Sequence, residues 1–239
     1  MDKKIQINPD KLQAELRKFK AYLKYETGIP LNDFRSHPFI YQQEGYKYDV
    51  HRAGFDELSY IDWNTKDIGK GKILDAVIAS IEIKGSNLVT WDERRGPNKR
   101  EHLKILELRK DKSELKIFEK NTYDFFYNIC NPEFYFNFLA GLTGNKYRVI
   151  AYLFFLKNSE KYLPISQKRF DELFLDLNIP LVTTRNCSWQ NYCEFLQIIS
   201  EVRYFLSAEL NCDITLLDAH SFCWILTSQM RNSEGFLKV

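Results

Sequence analysis

The sequence predicts an α+β fold, in which a mixed N-terminal part carries a small antiparallel sheet and a helical C-terminal part follows. Three observations support this. The segment "HLKILELRKDKSELKIFEK", residues 102–120, reads as two strands joined by a polar turn. The run "NLVTW", residues 87–91, reads as a further short strand. From about residue 131 onward, apolar residues recur at helical spacing in one segment after another. A soft boundary near residue 131 therefore separates 1–130 from 131–239, either as two parts or within one compact unit.

The first helix has both of its ends written locally. Asn8 suits the N-cap and Pro9 the first helical position, Leu12, Leu16, Phe19 and Leu23 share a face, and Gly28 is a natural stop. Residues 29–72 are rich in aromatics but show no sustained period, and "KDIGKGK" reads as a glycine-bearing turn without the spacing of a phosphate-binding loop. "ILDAVIASIEIKG" fits one helical face through Ile73, Leu74, Val77, Ile78 and Ile81, and an alternating strand through Ile73, Val77, Ala79, Ile81 and Ile83. Helix through about residue 82, followed by a turn at Gly85, is the preferred reading.

Beyond residue 131, "NPEFYFNFLAG" opens with Asn131 and Pro132, and "NKYRVIAYLFFLKN" is apolar enough to be buried. Ser166 reads as an N-cap, with Ile165 and Phe170 spaced as a hydrophobic staple. Ser188 reads as the cap of a long helix whose face is Tyr192, Phe195, Ile199, Val202 and Leu206. In "LLDAHSFCWIL" Asp218 reads as an N-cap, stapled by Leu217 and Phe222. Asp218 and His220 are two apart and point in different directions on a helix, so they make no catalytic dyad.

Composition limits the function classes. Of 239 residues, 44% are hydrophobic and 28% charged, the balance of a soluble globular protein. No apolar run approaches the roughly 18–20 residues of a membrane span, and the opening "MDKKIQINPDKL" lacks the apolar core of a signal peptide. A cytoplasmic location is the expectation. Five scattered cysteines without a Cys-x-x-Cys, and four histidines that do not cluster, argue for reduced thiols and against zinc. Residues 1–130 hold 24 basic against 21 acidic residues and residues 131–239 hold 10 against 11, so a polyanion meets the first part.

Two stretches carry candidate chemistry. In "TWDERRGPNKREHLK", residues 90–104, the cations Arg94, Arg95, Lys99, Arg100 and Lys104 surround a Gly-Pro turn with Trp91 at one edge. Cations beside an aromatic ring hold phosphates and stack a base, although Asp92, Glu93 and Glu101 dilute the charge and a solvated loop is the plain alternative. In "SIEIKG", residues 80–85, Glu82 and Lys84 would share a face if this were a strand. The pattern resembles the core of PD-(D/E)xK nucleases, in which carboxylates hold Mg²⁺ and the Lys helps activate water. The third ligand is the difficulty: Asp75 is too close, and Asp62 and Asp67 sit on no convincing strand.

"YLPISQKRFDELF", "CSWQNYCEFL" and "LLDAHSFCWIL" together resemble a module of bacterial restriction and phage-defence proteins, over roughly residues 145–226. In such proteins the module accompanies a nuclease or motor domain. The resemblance implies a part in nucleic-acid recognition or assembly, with catalysis supplied by a separate nuclease or ATPase subunit. Three readings therefore stand: a nucleic-acid-binding accessory module, with DNA the expected partner; a Mg²⁺-dependent nuclease using Glu82 and Lys84; and an interaction scaffold without chemistry. No cofactor or metal is expected except Mg²⁺ under the nuclease reading, and no membrane partner.

Overall fold

The computed structural model of the chain describes residues 7–91 and 99–233. In chain order its helices are α1 (Pro9–Thr27), α2 (Pro38–Glu44), α3 (Tyr46–Leu58), α4 (Lys72–Ile81), α5 (Leu103–Glu107), α6 (Lys112–Phe126), α7 (Pro132–Thr143), α8 (Tyr147–Lys157), α9 (Gln167–Asp176), α10 (Trp189–Leu210) and α11 (Leu216–Ser228). Short 3₁₀ turns punctuate them. Among the described residues no strand forms, so the expected α+β class with its antiparallel sheet is corrected to an all-helical architecture.

The correction has local causes. Asp111, expected in a turn between two strands, is the N-cap of α6: its Oδ1 accepts the Ser113 and Glu114 N–H groups at 2.8 and 3.1 Å. Phe118, Thr122 and Phe125 then recur at helical spacing on the buried face. Upstream, Ile105 and Leu108 are buried three residues apart, as a helical turn and not a strand requires. In 87–91, the neighbours Leu88 and Val89 are both buried, which strand alternation forbids on a one-sided sheet.

The chain folds as two units. One comprises the described residues of Met1–Tyr46, Ser166–Asn186 and Gln190–Val239; the other comprises those of Lys47–Ile165 with Cys187–Trp189. The position near residue 131 falls inside the second unit, between α6 and α7.

In the first unit, α1 forms as its sequence directs. Asn8 Oδ1 accepts the Asp10 and Lys11 N–H groups at 2.9 and 3.3 Å, and Gly28 closes the helix at φ +72°, a conformation open to glycine without cost. Phe19 meets Phe222 of α11 edge to face at 4.9 Å, and Phe170 of α9 meets Phe195 of α10 in the same way at 4.9 Å. α11 is buried along nearly its whole length, which explains why it is apolar all round.

In the second unit, α8 is the core helix, with Val149 through Leu156 buried. Phe125 of α6 stacks on Tyr135 of α7 at 4.3 Å and contacts Phe154 of α8 at 4.5 Å. The Tyr152 hydroxyl donates to the Ser80 carbonyl at 2.7 Å, tying α8 to α4. α3 packs where Gly54 lets it: a Cβ there would sit 2.7 Å from Leu156 Cδ2. Its buried face reads Lys47, Val50, Gly54, Leu58, and two of the four are not apolar, so no hydrophobic period marks it in the sequence. α2 is silent for a similar reason, having only Ile40 and Glu44 buried.

Candidate nucleic-acid interface

The two stretches singled out in the sequence meet in the second unit. α4 ends at Ile81 and Glu82 takes its C-cap position, with the Glu82 N–H donating to the Ile78 carbonyl at 3.0 Å. The chain then turns through Lys84 and Gly85, which has φ +85°. Glu82 and Lys84 therefore follow a helix and enter a turn, and the strand that a PD-(D/E)xK site needs is absent. Among the described residues, no group of three or more His, Cys, Asp or Glu side chains gathers to hold a metal.

The basic loop springs from a closed base. The Glu101 N–H donates to the Thr90 carbonyl at 2.9 Å, and the Thr90 N–H donates to the Glu101 carboxylate at 2.6 Å. These two bonds join the residues flanking 91–100. Arg148, from α8, reinforces the junction. Its Nε donates to Leu88 O at 3.1 Å, Nη2 to Asn87 O at 2.6 Å and Nη1 to Thr90 Oγ1 at 3.3 Å, while Nη1 lies 3.3 Å from Glu101 Oε2. Two carbonyls that a strand partner would have satisfied, those of Asn87 and Leu88, are thus taken by one guanidinium, and the chain bends at Leu88 and Val89 without joining a sheet.

A second link runs from the end of α4. His102 is fully buried, and its Nε2 lies 2.8 Å from Glu82 Oε1. Burial holds the imidazole below its ordinary value of 6.5 and outweighs the opposing hydrogen bond to Glu82 and the charge of that carboxylate; Arg100 nearby pushes in the same direction as burial, and Glu101 against it. The ring is therefore neutral near pH 7. A carboxylate only accepts, so Nε2 carries the proton and donates it to Glu82. Nδ1 is left as a buried acceptor without a hydrogen-bond partner among the described residues. Full burial keeps the His102 ring from reaching a substrate, while the Glu82 side chain is 29% exposed.

Lys99 is exposed, and Trp91 is half-buried at the loop's first edge. Arg100 has a side chain 19% exposed and lies 3.8 Å from Glu82, so it belongs with the anchor. Lys104 is exposed and bonded to Glu107 at 2.9 Å. Lys84 is exposed. Arg94 and Arg95 lie outside the described residues. The structure brings Glu82 and Arg100 together; sequence reading placed them in separate candidates. It also adds His102, Glu101 and Arg148. The signal for Arg148 is a charge in the first turn of a helix that is apolar from Val149 to Leu156; for the other two there is none beyond their place at the loop's edge.

Asp218 and His220 serve different neighbours. Thr215, not Asp218, is the N-cap of α11, and Asp218 is the third residue of a capping box. The Asp218 carboxylate accepts the Thr215 N–H at 2.8 Å, the Thr215 hydroxyl at 2.6 Å and Arg35 Nε at 3.0 Å. His220 is buried with its ring 4.9 Å from that of Phe170. At α9, Ser166 holds the N-cap position, but its side chain makes no capping bond.

Compared with known proteins, the chain matches no family model, no curated protein and no solved structure. Among the described residues, no helix is long and apolar enough to cross a membrane.

Proposed function

We propose that this chain is a nucleic-acid-binding accessory module of a bacterial restriction or phage-defence system, contacting phosphates through its basic loop. The observation that carries the binding reading is the locked base. Residues 91–100 hold four cations against two acids, and the residues flanking them are joined by one backbone-to-backbone hydrogen bond, one from the Thr90 N–H to the Glu101 carboxylate, and the Arg148 fork. A segment whose ends are already held loses less conformational entropy on binding than a free one. Arg94, Arg95 and Lys99 are the phosphate contacts, Lys104 and Trp91 flank them, and Arg100 serves the anchor. The defence setting rests on the resemblance over residues 145–226, which also assigns catalysis to a separate nuclease or ATPase subunit.

Fluorescence anisotropy of a labelled DNA duplex across a salt series tests this. The expected result is binding whose log K falls linearly with log salt, by about 0.9 per phosphate contacted on duplex DNA. Combined neutralisation of Arg94, Arg95 and Lys99 makes the slope shallower by roughly 2–3. No binding to duplex DNA at low salt overturns the DNA reading. The same outcome with single-stranded DNA and RNA overturns nucleic-acid binding altogether.

A further inference from the structure

We infer that α1 carries a binding face of its own, on which Arg17, Lys20 and Lys24 contact the phosphates of duplex DNA. It rests on the binding function proposed above for the class of partner alone, since it lies in the first unit. Leu12, Leu16, Phe19 and Leu23 bury one side of the helix. At 3.6 residues per turn, Arg17 and Lys24 stand nearly in line two turns apart, both exposed, and half-buried Lys20 flanks them one turn from each. Ala21, exposed between them, leaves room for a phosphate backbone to approach. The side chains of all three cations make no ion pair among the described residues, whereas Lys18 is bonded to Glu15 at 2.7 Å. Glu15 is the one acid between Lys11 and Tyr25, and it lies about 200° round the helix from Arg17.

The spacing and the setting both suit DNA. From Arg17 to Lys24 the helix rises about 10 Å, the axial length of about three phosphates on one strand. The face is held rigid from behind: Lys11 Nζ donates to the Asp176 carbonyl at 2.9 Å, Gln13 Nε2 donates to Glu209 at 3.0 Å, and Phe19 packs on Phe222. Three cations on a fixed helix reach phosphates without first having to be ordered. A lipid surface fits less well. A helix that lies in a membrane interface inserts its apolar face, and the apolar face of α1 is buried inside the unit.

Arg17→Gln, Lys20→Gln and Lys24→Gln are combined in the full chain and measured by anisotropy on a labelled DNA duplex across salt. The expected result is a salt slope shallower by about 2–3, each contact supplying about 0.9. At 0.1 M salt the affinity is expected to fall about 100-fold, since counterion release is worth up to about eightfold per contact there. An equal loss of charge from exposed Lys112, Lys168 and Arg185, each changed to Gln, is expected to change the slope by less than about 1. Gln forms helix about as well as Lys and Arg. If far-UV circular dichroism nevertheless shows lost helix, the double variant at exposed Arg17 and Lys24 replaces the triple, with an expected change of about 1.8.

An unchanged slope in the α1 variant, or an equally large change in the control variant, overturns the inference. Neutralising Arg94, Arg95 and Lys99 separates it from the loop reading. If that change flattens the slope and the α1 variant does not, the α1 face fails and the loop stands; the reverse pattern supports the α1 face and removes the loop. Sedimentation with phosphatidylserine vesicles tests the other polyanion: binding that the α1 variant loses while its DNA affinity stays unchanged assigns the face to lipid and overturns the inference. No binding of the unaltered chain to duplex DNA at low salt overturns it as well.

Discussion

Glu119 offers the sharpest test of how the second unit is held. Its side chain is fully buried on α6, and its carboxylate accepts three backbone N–H groups: Gly69 at 2.6 Å and Lys70 at 3.0 Å on Oε2, and Leu74 at 3.0 Å on Oε1. Gly69 has φ +84° and Gly71, the N-cap of α4, has φ +89°; that backbone wraps the carboxylate, and Gly71 has no side chain to cap with. A carboxylate from another helix therefore caps α4, with the helix dipole adding to the attraction. Glu119→Ala orphans the Gly69 and Leu74 donors, whereas the Lys70 N–H keeps the Asp67 carbonyl at 3.1 Å. A buried unsatisfied donor costs about 1–3 kcal/mol, but exposure is uneven here. Leu74 is fully buried and cannot turn to water, Gly69 is half-buried and Lys70 is exposed. With the full penalty at Leu74 and a partial penalty at Gly69, the expected loss is about 2–4 kcal/mol. Glu119→Gln retains one accepting oxygen, enough for Leu74 or for the Gly69–Lys70 pair but not for both, and is expected to cost about 1–3 kcal/mol. Urea unfolding followed by far-UV circular dichroism measures both. If Glu119→Ala lowers stability by less than about 1 kcal/mol, or if the two variants lose the same amount, the cap does not hold the helix in this way.

Two further outcomes follow from the buried polar groups. Asp218→Ala removes the capping box and the Arg35 partner from α11 and is expected to cost about 2–3 kcal/mol, while Thr215→Ala costs about 1 kcal/mol; because they share hydrogen bonds, the double variant in urea unfolding should lose less than the two together, and strict additivity would refute the coupling. For pH, burial holds His51 and His102 below their ordinary value of 6.5. The unfolded chain takes up those protons near pH 6.5 and the folded chain resists, so their contribution is fully present above pH 6.5 and is lost as pH falls through the lowered folded values, by up to about 1.4 kcal/mol per pH unit for each group. His102→Gln keeps a donor for Glu82 but does not titrate, and its thermal midpoint should fall less steeply with acidification; a profile parallel to that of the unaltered chain would show that His102 carries none of the effect.

The helices legible in the sequence are those whose ends and faces are both written nearby. α1 has Asn8, Pro9 and Gly28 at its ends and its apolar residues at helical spacing, and α10 shows the same spacing over six turns. The reading of α11 found the helix but set its start three residues late, because Thr and Asp both suit an N-cap and only the reciprocal bonds of Thr215 and Asp218 distinguish them. The helical form of 103–126 stayed hidden because short apolar runs satisfy both periods. The deciding contacts, such as Phe125 on Tyr135 and Glu119 on the α4 N-terminus, lie with partners distant in sequence.

The basic loop shows the same division. Its cations and its Trp are plain in the sequence, since residue type alone carries charge and ring. Its anchoring is not, because Arg148 is 47 residues beyond Glu101 in the numbering and becomes a partner only when α8 is buried beside the loop's base. What the sequence determined by itself is therefore what local chemistry determines: caps, helical faces, the charge of the loop. Only the tertiary structure decided between strand and helix at 103–126 and joined Glu82, Arg100, Glu101, His102 and Arg148 into one site. Those outcomes depend on which distant groups satisfy each buried donor and acceptor, and spacing along a chain does not encode that.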